Sequence, residues 1–328
     1  LEHIRQIHEA IRRGDTYQIN YTARLHLQTY GNPIQLYRRL RQPVPYAVLS
    51  CLPDGAGQDA WTLCFSPELF LKIDSDGLIT TEPMKGTAPI LHDGQDERRA
   101  VELQNDPKNR AENVMIVDLL RNDLGKIAQT GKVRVPEPFK VSRFGSVWQM
   151  TSAIEAQALP DVWVADIFRA AFPCGSITGA PKRMSMQIIE SLESEPRGLY
   201  TGSIGFLHPC DTGLGFEGVF NVVIRTLSLK PVSDGLYLFQ YQSKSEQAVN
   251  HTFCVHIDFL GSRNFRQARH FHHIAAQRND ETRTGRNGNA AHGNAEAFRA
   301  AQEFGVVAQR ILGFCHADRH FVQAQFFQ

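Results

Sequence analysis

Apolar residues recur along this chain with two periods, and the places where the period switches mark its elements. In residues 1–13, Ile4, Ile7 and Ile11 share one helical stripe with Arg and His opposite, and Gly14 follows as the expected stop. Residues 17–28 alternate instead, as a half-buried strand does. The pattern then predicts a short helix over 33–41 and strands over 45–52, 61–74 and 77–82. Helices are predicted over 93–104 and 108–129, separated by Asn105-Asp106-Pro107, a cap-and-turn signal. Strands over 132–141 and 147–157 lead to a helix over 161–172. A glycine-bearing loop at 173–182 then opens a helix with Pro181 in its first turn and Met184, Ile188 and Leu192 as its buried stripe. Strands over 199–208, 216–229 and 235–241 follow. Many strands with interspersed helices, and no regular β-α-β alternation, predict an α+β fold with largely antiparallel sheets.

At residue 240 the character changes. Residues 240–328 hold eight of the 13 His and ten of the 20 Phe but no Pro, and one Lys beside nine Arg, with poor periodicity through 261–295. The expected organisation is a catalytic domain over 1–239 and an atypical tail over 240–328, frameshifted or disordered. Elsewhere the totals mainly exclude. Lys+Arg 35 against Asp+Glu 34 leaves no global field for nucleic acid or an anionic membrane. No apolar run approaches the roughly 20 residues that span a bilayer. Six dispersed cysteines with no C-x-x-C pair make a disulfide framework or zinc site a poor reading, and a reducing cytoplasm the default. The start carries no signal-peptide pattern and no initiator Met, so residues are expected to be missing upstream.

Five stretches could carry chemistry. In Glu82-Pro-Met-Lys-Gly-Thr-Ala-Pro89 two prolines and a glycine define a stiff loop around Lys85, although a solvated turn lysine is the commoner case. Glu68 precedes Lys85 by one hairpin, near enough to pair an acid with a nucleophile or base. Glu112 shares a helical face with Ile116 and Leu119. A carboxylate there needs a cation, either a divalent metal such as Mg²⁺ or, more commonly, an arginine. Backbone N–H groups of Gly175, Ser176, Thr178 and Gly179 ahead of a helix N-terminus could form an anion site or merely a tight turn. In 220–226, alternation puts Asn221, Val223 and Arg225 on one strand face, where an arginine could grip a carboxylate or simply reach solvent. Gly213-Leu-Gly-Phe-Glu-Gly218 satisfies G-x-G-x-x-G but leads into a strand, so a hairpin turn is expected and not a dinucleotide fingerprint.

Taken together, Gly14 to Asn20, Ser66-Pro-Glu68, Pro83-Met-Lys-Gly-Thr87, Arg110 to Asp123, Pro173 to Lys182, Tyr200 to Gly205 and Phe220 to Thr226 resemble the chorismate-utilising enzymes. That family includes anthranilate, aminodeoxychorismate and isochorismate synthases. The resemblance implies two large, packed antiparallel sheets flanked by helices, with Mg²⁺ as cofactor and Glu112 among its ligands. It implies Glu68 as the acid that protonates the departing 4-hydroxyl of chorismate and Lys85 as the nucleophile at C2. Ser176, Thr178, Gly179, Tyr200 and Arg225 are implied to hold the substrate carboxylates.

Within the family, anthranilate synthases look like Pro-Ile-Ala-Gly-Thr where this chain has Lys85, and isochorismate synthases carry a water-activating lysine where it has Gln18. The combination resembles the aminodeoxychorismate synthases, on the route to 4-aminobenzoate and folate, with ammonia supplied by a glutamine amidotransferase partner. An anthranilate synthase, or a non-catalytic remnant that binds such a partner, are the alternatives. One departure stands out: the family's later Glu-Tyr-x-Glu metal motif is absent after Phe239, which leaves half of the implied metal site unaccounted for.

Overall fold

In the computed structural model, residues 2–41, 43–233, 236–244 and 322–325 are described. The chain divides into two compact units: residues 1–24, 41–230 and 240–249, and residues 25–40, 231–239 and 250–328. The expected boundary at 239/240 falls within the described strand Leu236–Lys244, while the expectations for the tail fall largely outside the described residues.

The first unit carries the α+β architecture. Its main sheet has six antiparallel strands in the spatial order Gly205–Pro209, Phe216–Asn221, Leu69–Ile73, Leu78–Glu82, Ile154–Ala158, Ala128–Arg134. Ile73, Ile79, Ile154 and Ala156 share one face of that sheet and, with Phe70 and Leu71, enter a core shared with two helices, Pro107–Gly125 and Val164–Ala171. The first helix starts where Asp106 accepts a bond from the Asn109 amide at 2.7 Å with Pro107 behind it, and it buries Ile116, Val117, Leu120 and Leu124. It stops at Gly125, and Ala128 already belongs to a strand, so the expected helix to residue 129 is four residues too long. A separate three-stranded sheet joins Met84–Pro89, Val147–Thr151 and Lys140–Phe144. Tyr46–Pro53 and Asp59–Ser66 form a hairpin whose second strand also pairs with Thr226–Leu229.

Two local expectations change. In the helix Lys182–Leu192 the buried stripe is Ser185, Ile189 and Leu192, while Met184 is exposed. Ser185 wins the inner position because its hydroxyl bonds Thr16 (3.0 Å) and the Gln18 carbonyl (3.3 Å). The G-x-G-x-x-G segment is the expected hairpin turn between Gly205–Pro209 and Phe216–Asn221. Of the second unit, the described residues include the helix Pro33–Leu40 and the pairing of Val322–Gln325 with residues 26–29.

Candidate active site

Hairpin geometry brings the two chemically loaded side chains to one end of the main sheet. Leu69 lies opposite Glu82, so Glu68 and Pro83 both sit at the open end of that strand pair, with Lys85 two residues beyond. Pro67 separates Asp59–Ser66 from Leu69–Ile73, since a residue without an N–H cannot continue the ladder. Glu68 is only 4% exposed. Its backbone is pinned by Ser66 Oγ (3.2 Å) and by the Val222 amide (3.1 Å). Its carboxylate accepts a 2.6 Å bond from Ser176 Oγ.

Lys85 does not sit on a loop. Met84–Pro89 is a strand, and its pairing with Val147–Thr151 slips between Gln149 and Thr151, which oppose Thr87 and Met84. Three steps on the lysine strand thus face two on its partner, a bulge at Lys85-Gly86. Gly86 has φ +83°, and a Cβ there would lie 2.9 Å from the Asn109 side chain, so glycine is required twice over. Gln149 donates to the Gly86 carbonyl at 2.9 Å and fixes the kink. Lys85 is 7% exposed and has no ion pair among the described residues, so its amine is not committed to a counter-charge.

The segment 173–182 is a built wall. A 3₁₀ turn, Gly175–Ile177, passes into the short strand Gly179–Ala180, which pairs with Gln18–Ile19. Every residue from Cys174 to Ala180 is buried. Close approach demands the glycines: a Cβ on Gly175 would lie 2.4 Å from Leu119, and one on Gly179 2.1 Å from the Gln18 carbonyl. The hydroxyls of this segment are already directed, Ser176 to Glu68 and Thr178 to the Cys174 carbonyl at 3.1 Å, which leaves the expected role of holding substrate to the backbone amides. Burial pushes the Cys174 thiol up to about 11, with the nearby Glu68 charge adding to the effect, so it stays protonated at neutral pH.

The remaining expected residues are placed less uniformly. Tyr200 is half-buried in a turn whose next residue, Thr201, has φ +65°, a rare conformation for a β-branched side chain. The Thr201 amide bonds the Val223 carbonyl (2.8 Å), tying this turn to the segment that also holds Glu68. Arg225 departs from its expected strand face. Phe216–Asn221 ends before it, Val222 and Val223 are both buried, and Arg225 is exposed with φ +51°. Alternation fails because the pairing shifts register at Phe220/Asn221 and the strand ends there, and Arg225 itself takes a left-handed conformation.

Glu112 lies on the long helix between Asn109, which touches Gly86, and Leu119, which touches Gly175, about 10 Å apart from Leu119 along the axis. It is half-buried and has no partner among the described residues. No group of three or more His, Cys, Asp or Glu is placed to hold a metal ion among the described residues. One carboxylate falls short of a Mg²⁺ site, whose six-fold shell usually takes one or two protein carboxylates and further oxygens. Other buried polar residues went unsignalled by the sequence pattern. Asp123, 3% exposed at its side chain, pairs with Lys182, whose Nζ also caps the Ala171 carbonyl at 2.8 Å. Asn20, Glu193 and Arg197 form a cluster behind 176–178.

A family model described as chorismate binding enzyme matches residues 1–242. The chain belongs to the chorismate-binding enzymes. Among curated members of that family, aminodeoxychorismate synthase component 1 of Escherichia coli (strain K12) is 43% identical over 233 residues, 69% of this chain and 48% of that protein. Anthranilate synthase component 1 3 of Haloarcula marismortui is 41% identical over 229 residues, 69% of this chain and 43% of that protein. The chain therefore spans about half the length of the curated relatives it matches. Anthranilate synthase component I from Streptococcus pneumoniae TIGR4 superposes with a TM-score of 0.58 at 30% identity, covering 74% of this chain and 51% of that structure. The expected α+β class and its antiparallel sheets agree with this likeness. No helix among the described residues is long and apolar enough to cross a membrane.

Proposed function

We propose that this chain catalyses amination of chorismate at C4, the aminodeoxychorismate synthase component I reaction, with ammonia from a glutamine amidotransferase partner. The observation that carries the reading is Lys85, an amine buried in a glycine bulge without an ion pair, at the open end of the hairpin that also presents Glu68. The Lys85 amine adds to C2 of the ring, the diene electrons shift, and the C4–O bond breaks as Glu68 delivers its proton, releasing water. Ammonia then adds at C4, the electrons return, and the C2–N bond breaks to restore free Lys85. The ammonium formed at C4 gives a proton back to the Glu68 carboxylate. The net change is chorismate plus ammonia to 4-amino-4-deoxychorismate plus water.

Glu112 is proposed as one Mg²⁺ ligand; the bound ion would supply Lewis-acid polarisation of the substrate. Ser176 acts in this reading on Glu68, because its hydroxyl is spent there. Tyr200, Arg225 and the amides of Thr178 and Gly179 are proposed to meet substrate carboxylates.

Lys85→Ala tests the assignment with chorismate, Mg²⁺ and ammonium chloride. Expected is loss of 4-amino-4-deoxychorismate to background, together with absence of the covalent ring adduct that acid-quenched wild type is expected to show by mass spectrometry. Unchanged ammonia-dependent turnover would sink the nucleophile. A second reading, anthranilate synthesis, draws on the Haloarcula relative at 41% identity. Fluorescent anthranilate appearing with pyruvate in the same assay would select it.

A further inference from the structure

Three consecutive carbonyls of the site wall are gripped from behind. Ser176 O accepts from Asn20 Nδ2 (3.2 Å), Ile177 O from Arg197 Nη1 (3.0 Å) and Thr178 O from the Asn20 amide (2.8 Å). Arg197 also donates through Nη2 to the Asn20 carbonyl (2.6 Å), so one guanidinium ties the wall to the strand that steadies it. The guanidinium is itself fixed by a two-pronged bond to Glu193, Nε to Oε2 at 2.9 Å and Nη2 to Oε1 at 2.6 Å. Glu193 Oε1 further accepts from the amide and hydroxyl of Thr22, both at 2.9 Å, and Gln242 Nε2 donates to that hydroxyl at 2.7 Å. Side-chain exposure is 12% for Arg197 and 6% for Glu193. A charged pair withdrawn this far from water is costly unless its hydrogen-bonding capacity is filled, and here it is filled mostly by backbone.

We propose that Arg197, oriented by Glu193, is a positioning residue for the site. By bonding the Ile177 carbonyl directly, and by fixing Asn20, which bonds those of Ser176 and Thr178, it leaves the Ser176 hydroxyl aimed at Glu68 and keeps the opposite side of the turn for ligand. A lysine cannot replace it: a single ammonium has no planar fork to serve a carboxylate and two carbonyls together. The role rests on the proposed function only in what the wall is for; the clamp is a matter of this chain's own geometry.

The test uses the full chain with Arg197→Lys, which keeps the charge beside Glu193, and with Arg197→Ala, assayed with and without added guanidinium. Hydrogen exchange of the peptide covering 173–181, chorismate affinity by isothermal titration, and ammonia-dependent turnover are read for each. For Arg197→Lys the expected result is at least tenfold faster exchange in that peptide with the helix Pro107–Gly125 unchanged, tenfold weaker chorismate binding and a larger fall in kcat. Millimolar guanidinium is expected to restore part of the turnover of Arg197→Ala. If Arg197→Ala does not fold, the double variant Arg197→Gln/Glu193→Gln, which removes both charges, replaces it. Wild-type exchange, affinity and kcat in folded Arg197→Lys overturn the proposal. Absence of chorismate binding by the wild type would instead strike the proposed function, while the exchange data would still decide whether the clamp exists.

Discussion

Glu68 and Glu112 are carboxylates of one fold in opposite situations. Glu68 is 4% exposed, anchored through its backbone at two points and through its side chain by Ser176. Glu112 is half-buried on a helix face, without any partner among the described residues. A group that must deliver a proton to one atom gains from being held in one geometry, because general acid catalysis depends on reach and angle. A group that meets a mobile cation gains from remaining uncommitted. The contrast teaches that order around a side chain, and not charge or burial alone, separates the two roles.

The largest effect should come from removing the proton while keeping the geometry. Glu68→Gln retains an acceptor for Ser176 but has no acid, and is expected to lower kcat by roughly 10²- to 10⁴-fold, the usual worth of a positioned general acid, at unchanged thermal midpoint. Turnover within a few-fold of wild type would mean that Glu68 is only a buried strut. Ser176→Ala comes next. It removes the Ser176 bond to the Glu68 carboxylate, and a hydrogen bond to a charged group is worth about 1.5–3 kcal/mol, so kcat should fall roughly 10- to 100-fold with KM for chorismate unchanged. The opposite split, raised KM with kcat intact, would return Ser176 to holding substrate and erase its part in the comparison.

How much of this was legible varies with how local the signal is. The lysine stood out because Pro83, Gly86 and Pro89 punctuate its stretch, and the acid because it lies one hairpin ahead of the lysine. The same residues misled about the lysine's setting: a glycine with φ +83° marks a bulge in a strand as well as it marks a loop, and only the pairing partner, Val147–Thr151, decides between them. Alternation places Arg225 on a strand face, but the strand ends at Asn221 after a register shift, and Arg225 is itself left-handed with no glycine to announce it. Met184 and Ile188 were assigned inward on apolarity, but Ser185 faces in to complete hydrogen bonds with Thr16 and Gln18, 169 and 167 positions away. The Arg197 clamp was invisible for the same reason. Its i,i+4 spacing from Glu193 looks like an ordinary surface pair, and what makes it structural is Asn20, 177 positions away.

Glu112 gives the smallest expected effect and the sharpest test of the contrast. Glu112→Gln removes a negative charge without breaking any bond among the described residues, so the thermal midpoint should move by only about 1–2 °C, as for substitutions away from packed or paired groups. If Glu112 is a Mg²⁺ ligand, the loss appears only in the metal's titration. The Mg²⁺ concentration for half-maximal turnover should rise about tenfold or more, since even groups that merely orient a metal's ligands cost that much, while turnover at saturating Mg²⁺ stays within a few-fold of wild type. Direct Mg²⁺ calorimetry in the absence of chorismate should show the same weakening. An unchanged Mg²⁺ titration, or a fall in thermal midpoint as large as that from breaking a buried pair such as Asp123 and Lys182, would show that Glu112 is committed to the fold after all. The two carboxylates would then differ in degree of burial and not in kind.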